Sequence, residues 1–129
     1  MTNFQKVENY LLELEYSIVR KNEAEQLFVI NNPEAGISNL VLVIAEPLLV
    51  LEQLLFNVNA SDNAIYMKLL IKNRDIIHGA FALTADGSQV LFRETLQIEN
   101  LDLNELEGSL NSLSLLMTEI SDLVITYNI

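Results

Sequence analysis

The chain has one histidine, His78, with Asp75 three residues upstream. A carboxylate at that spacing can orient an imidazole and support ligand binding or proton transfer. Little else joins the pair. There is no cysteine, which excludes thiolate nucleophiles, disulfides and Cys-ligated metals. One histidine cannot make a His-rich metal site. Ser61 and Ser88 sit in turn-like stretches without a Gly-x-Ser-x-Gly setting. The acids form no Asp-x-Asp-x-Asp-Gly calcium loop. Residues 85–88 lack the upstream glycines of a phosphate cradle. His78 and Asp75 therefore read as structural, and a small-ligand or enzyme role for them is the weakest reading. No catalytic residue, cofactor, metal or small-molecule substrate is expected.

Charge narrows the partners further. Seven Lys and Arg stand against 18 Asp and Glu, a net −11 over 129 residues. Every basic residue lies at or before Arg93, so the last quarter of the chain carries acids alone. Such a field repels phosphate backbones and anionic membrane surfaces, which argues against nucleic acid and against lipid headgroups. It favours a partner with a basic segment. The first ten residues lack a basic stretch followed by an apolar one, so no signal peptide is expected. With the absence of cysteine, this fits a cytoplasmic location.

The elements follow from periodicity. Thr2 and Gln5 have capping-box spacing, and Phe4, Val7, Leu11 and Leu14 form one helical stripe ending near Glu15. Residues 16–20 and 27–30 are β-branched and aromatic, with a polar turn at residues 21–24. Residues 31–36 are the strongest loop signal. Residues 40–58 approach the length of a membrane span. Glu46, Pro47, Glu52 and Gln53 interrupt them, so two strands turning at Glu46 and Pro47 are expected instead of insertion. In the first of these strands Leu40, Leu42 and Ile44 share one side and Val41, Val43 and Ala45 the other. A sheet with one wet face would alternate, so both faces are expected to be covered, by helices or by a second subunit.

Ser61 and Asp62 suit the start of a helix running to about Asn73, with pairs Ile65/Leu69 and Tyr66/Leu70. Residues 79–83 and 89–96 read as a hairpin around Asp86-Gly87, a pair suited to positive φ. Glu94 falls on the apolar side of its strand, which suggests a bulge or an exposed strand end. Asp102 and Glu105 then cap a long helix with the stripe Leu103, Leu106, Leu110, Leu113, Met117, Ile120 and Val124. About five turns are expected up to Leu123, followed by a frayed or extended end. Each stripe side chain stabilises by roughly 1.5–3 kcal/mol when fully buried. The stripe reads first as the cover of a sheet and second as a seam shared with a partner.

The element order in a small, acidic, Cys-free chain resembles the type III secretion chaperone-like fold of the CesT/Tir chaperones and the YbjN family. The local match is sharper over residues 60–123. It comprises a helix closing on Asn73-Arg74, the strand His78-Gly79-Ala80-Phe81-Ala82-Leu83, the Asp86-Gly87 turn, the strand from Val90 to Glu94, and Leu101-Asp102-Leu103 with Leu106. The first 60 residues match in element order alone.

The resemblance implies an α+β fold with a single antiparallel sheet and flanking helices, in the order α-β-β-β-β-α-β-β-α. It also implies a non-catalytic domain, often a homodimer. Secretion chaperones of this fold hold an extended effector segment on apolar patches, whereas YbjN relatives are described as stress and motility regulators. The expected function is a chaperone-like or adaptor domain spanning residues 1–129 that binds a protein segment as a homodimer. The alternative is a stress-response regulatory domain within a larger complex. The expected contact residues are Leu40, Leu42, Ile44, Leu49, Leu51 and Leu55 on the sheet, with Ile65 and Leu69 on the middle helix.

Overall fold

The computed structural model describes residues 1–59 and 63–127. The first helix, α1 (Asn3–Glu13), opens with the expected capping box: Thr2 Oγ1 accepts from the Gln5 backbone, and Gln5 Oε1 accepts from the Thr2 backbone. Strands β1 (Ser17–Asn22) and β2 (Leu27–Asn32) follow. A single 3-10 turn at Pro33–Ala35 leads into β3 (Ile37–Ala45), which turns at Glu46-Pro47 into β4 (Leu48–Asn57). Helix α2 (Asn63–Asn73) crosses to the hairpin of β5 (Ala80–Leu83) and β6 (Gln89–Gln97). Helices α3 (Leu103–Glu119) and α4 (Ser121–Tyr127) finish the described chain. The expected start of the middle helix at Ser61 and Asp62 lies outside the described residues.

All strand pairs are antiparallel, in the order β1-β2-β3-β4-β6-β5. This is the expected α+β arrangement of one sheet with flanking helices. The helices pack against one side of it. Phe4, Val7 and Leu11 of α1, Ile65 and Leu69 of α2, and Leu106, Leu110, Leu113 and Leu116 of α3 share one buried cluster with Phe28, Ile30, Leu40, Leu42, Leu49, Leu51 and Phe92. Phe4 stacks on Phe28 with ring centroids 4.4 Å apart. The apolar stripe of α3 is core, as first read.

Three local expectations change. The stripe does not run on one straight helix to Leu123. Backbone geometry breaks at Ile120, and α4 carries residues up to Tyr127 where a frayed or extended end was expected over Ile125 to Ile129, of which 128 and 129 lie outside the described residues. Glu94 marks neither a bulge nor an exposed end. It is 5% exposed, in regular register with Leu51, and Ser109 of α3 donates to it. In the hairpin, only Gly87 of the Asp-Gly pair has positive φ. Asp86 organises the loop through its side chain, accepting from the Ser88 backbone, the Ser88 hydroxyl and the Thr84 hydroxyl. These bonds, led by the Ser88 backbone, hold its carboxyl at about 2.

A second buried polar residue, Gln53, is fully used. Its Oε1 accepts from the Ser38 backbone at 3.1 Å and its Nε2 donates to the Gly36 carbonyl at 3.1 Å. Asn31 Oδ1 accepts from the Asn39 backbone at 2.7 Å, where Asn39 has φ 50°. These bonds hold the irregular start of β3, where register with β2 shifts. Gly36 completes the corner at φ 73°, and a Cβ there would stand 2.9 Å from Met117 Cβ of α3. Gly36→Ala combines left-handed strain with that clash, and should destabilise by about 1–3 kcal/mol. A lowered urea midpoint at unchanged slope would show it; an unchanged midpoint would mean α3 does not seat on this corner.

Candidate functional site

All eight residues expected to make outward contact are buried: Leu40, Leu42, Ile44, Leu49, Leu51 and Leu55 on the sheet, Ile65 and Leu69 on α2. The correction has a simple cause. A strand side chain covered by the chain's own helices cannot also face a partner, and these residues sit on the helix side. Of the two covers expected for both faces, helices on each side is corrected by the same observation, because the helices lie on one side.

The opposite face follows from the register. Leu27 pairs with Val43 and Val29 with Val41. Val43 pairs with Val50 and Ala45 with Leu48. Leu54 pairs with Leu91, and Leu91 with Ala82. Val29, Val41, Val43, Val50 and Leu91 are half-buried, and Leu54 is 55% exposed. Glu52 and Arg93 form an ion pair within this face. The middle of the face is thus aliphatic, with Val29, Val41, Val43 and Val50, and its border is polar, with the Glu52–Arg93 ion pair, Thr95 opposite Val50, Gln97 opposite Leu48 and Arg20 opposite Val29. The signal for it was in the sequence as Val41, Val43 and Ala45; what covered which side was not.

A second apolar patch lies on α2. Met67, Leu70 and Ile71 are 63%, 70% and 62% exposed, on the side away from buried Ile65 and Leu69. Beside them is a shallow, almost wholly apolar cavity of about 110 Å³ lined by Tyr66, Leu69, Leu70, Phe81 and Leu83. Met67 and Ile71 were missed in the sequence, although the segment is apolar all round, which is the mark of a helix contacted on two sides.

His78 and Asp75 are both exposed and line a cavity of about 330 Å³ with Lys72, Ser112 and Glu119. Lys72 and Glu119 form an ion pair across it at 2.9 Å, tying α2 to α3. No hydrogen bond joins His78 to Asp75 among the described residues. Nor do those residues contain a group of three His, Asp or Glu side chains that could hold a metal. The described residues bring no catalytic constellation together, and no helix is long and apolar enough to cross a membrane.

Among the described residues, Glu94 is the one buried carboxylate. Ser109 Oγ donates to its Oε1 at 2.9 Å, and Oε2 has no partner among the described residues. Burial raises its pKa from the ordinary 4.5, while the Ser109 bond and the nearby charge of His78 oppose the rise. A raised folded-state value means that the folded protein binds the proton more tightly than the unfolded chain. The stabilisation from this group is complete at low pH and falls as pH rises from about 4.5 through the raised value. Glu94→Gln should flatten the fall in unfolding free energy over that window, measured by urea titrations at several pH values. An identical slope in both proteins would exclude Glu94 as its source.

A family model described as CesT_Tir_1 matches residues 1–129. No curated protein matches in sequence. Solved structures do match in fold. The YbjN structure from E. coli, described as a putative transcription regulator, aligns at TM-score 0.68 and 10% identity, covering 92% of this chain and 91% of that one. A chain of the HopA1–SchA chaperone–effector complex aligns at 0.65 and 13% identity, covering 89% of each. The structure of the Yersinia pestis type III secretion chaperone SycH with a fragment of YscM2 aligns at 0.61 and 20% identity, covering 98% of this chain and 100% of that one. At these identities the likeness is one of fold.

Proposed function

The chain belongs to the CesT_Tir_1 family, and from that premise we propose that it is a non-catalytic chaperone-like or adaptor domain that binds a protein segment. The observation that carries this reading is the open apolar face of the sheet around Val29, Val41, Val43, Val50 and Leu54. An antiparallel sheet with one wet face normally turns polar side chains to solvent. Here the central strands are apolar on both sides and the helices use only one. The side left open suits an aliphatic or aromatic stretch of another chain, and the net charge of −11 suits one flanked by basic residues. The chaperone–effector and chaperone–fragment structures of the same fold support the reading.

Self-association is the second part of the proposal. Met67, Leu70 and Ile71 of α2, with Leu83 beside them, form the patch suited to a two-fold partner. Ile65 and Leu69 hold that helix in place from beneath. A regulatory role within a larger complex is the alternative, supported by the YbjN likeness. A cytoplasmic site of action is consistent with either.

Val43→Asp puts a charge at the centre of the open face, between Leu27 and Val50, without entering the core. Affinity capture from the native cell with mass spectrometry should yield a partner for the wild-type chain and lose it for Val43→Asp, with circular dichroism unchanged. Equal capture by both would sink the open-face reading. For the dimer, light scattering at low micromolar concentration should show twice the monomer mass, and Leu70→Asp with Ile71→Asp should return it to monomer. Monomer for the wild-type chain would end the dimer proposal.

A further inference from the structure

A buried carboxylate with one oxygen unpaired is rare in a folded chain and asks for a partner. Glu94 is that group: Ser109 Oγ donates to its Oε1, while Oε2 is buried and has no partner among the described residues. On one side of Glu94 stands Leu51 of β4. On the other stands Gly79, the next position in register after Ala80 and Arg93. Gly79 has φ 86°, and a Cβ there would collide with the Phe92 ring. Only glycine lets the chain pass this close to β6 and turn there. The residue before it is the chain's one histidine, His78.

His78 borders two cavities. One, of about 330 Å³, lies against Ser112 and Leu115 of α3. The other, of about 410 Å³, takes in Glu94 and Thr95. The connection from α2 to β5, residues 74–79, is held at its ends. Asn73 accepts from the Phe81 backbone at 2.7 Å and donates to its carbonyl at 3.3 Å, and the Ile76 backbone donates to the Asn73 carbonyl at 3.2 Å. No hydrogen bond from the described residues holds Ile77 or His78, and Ile77 is 89% exposed. The other charges near Glu94 are engaged elsewhere. Arg93 lies on the open face and pairs with Glu52, and Lys72 of α2 pairs with Glu119 of α3. Lys68 and Arg74 are exposed and border neither cavity. Helix α3 has no basic residue, and Leu49, Leu51 and Gln53 of β4 bring no charge. Asp75 and the acids of α3 are exposed to water. His78 is the cation left. Burial raises the Glu94 carboxyl, and the Ser109 bond and then the charge of His78 oppose the rise.

We propose that His78 and Glu94 form a proton-operated latch on the connection between α2 and β5: with both charged, the imidazolium donates to Oε2 and pins the connection over the end of β6, and loss of either charge releases it. The device stands apart from the segment-binding function. An ionised Glu94 with Oε2 bare leaves a buried charge half compensated. A charge-assisted bond to that oxygen is about twice as strong as a neutral one. The moving part is Ile77 and His78, the two residues that no bond holds. At low pH Glu94 takes up a proton and its pull on the imidazolium is lost. At high pH the imidazole discharges, as histidines ordinarily do between about pH 5 and 8. The latch is therefore closed across a band near about pH 6 and open on either side of it.

The test uses the full chain, isotope-labelled for NMR, and reads carbon relaxation at the α-carbons of Ile77 and His78, a signal that survives at alkaline pH. In the wild-type chain the order parameters should be about 0.85 near about pH 6 and fall to about 0.6 or lower near about pH 9, the values of rigid and of flexible backbone. Glu94→Gln mimics the protonated acid and should give the low value at both, and so should His78→Gln. His78→Lys keeps its charge to about pH 10 and should stay ordered where the wild-type chain loosens. A histidine with a purely structural role would show none of this pH dependence. His78→Gln should also raise the pH at which the Glu94 carboxyl carbon titrates, by about half a unit or more. The proposal is overturned by equal order at the two pH values in the wild-type chain, by an ordered connection in His78→Gln, or by loosening of His78→Lys at the higher pH. Should Glu94→Gln fail to fold, as judged by circular dichroism, the two variants at the exposed His78 still decide the matter.

Discussion

Every strand has two faces, and in β2, β3 and β4 both are apolar. The helices can shield only one of them, because α1, α2 and α3 all pack on the same side. That imbalance organises the molecule. The covered side, with Phe28, Leu40, Leu42, Leu49, Leu51 and Phe92, supplies the driving force for folding. The uncovered side, with Val29, Val41, Val43 and Val50, contributes cross-strand packing but remains half-wet. The described residues assemble no catalytic group but expose a broad half-wet face, so shape and charge are what the molecule offers a partner.

The two polar side chains buried on the helix side of the sheet behave differently, and the difference is instructive. Gln53 spends its amide oxygen and nitrogen on backbone groups at the β3 corner, so its burial fixes an irregular stretch of chain. Glu94 spends one carboxylate oxygen on Ser109 and leaves the other free. A buried polar atom without a partner is costly. Asn73 is the counterpart at β5: a side chain that closes an edge with the same pair of bonds a strand would make.

Much of the fold was legible in local signals. The Thr2 and Gln5 capping box, the turn at Glu46-Pro47, the α3 stripe and the hairpin around Gly87 each act within a few residues, and each appears where periodicity or turn chemistry placed it. Details failed where two distant segments meet. Glu94 reads as a strand fault until Ser109, fifteen positions away, supplies its bond. The stripe from Leu103 to Val124 reads as one helix because its spacing is continuous, yet the backbone breaks at Ile120. For the contact residues, alternation identified which side chains share a face, and nothing in it said which face the helices would take.

The sequence by itself determined the class of molecule: an acidic, Cys-free α+β chain with one histidine and with strands apolar on both faces. These properties belong to composition and to short-range periodicity, which survive without knowledge of distant contacts. The tertiary structure alone decided sidedness and edges. Which face of β3 is core depends on where α1 and α3 land, and how much of β6 is paired on both sides depends on β5 ending at Ala80. Both are long-range outcomes, set by packing and strand register, and they move the candidate contacts from Leu40, Leu42 and Ile44 to Val41, Val43 and Val50 on the open face.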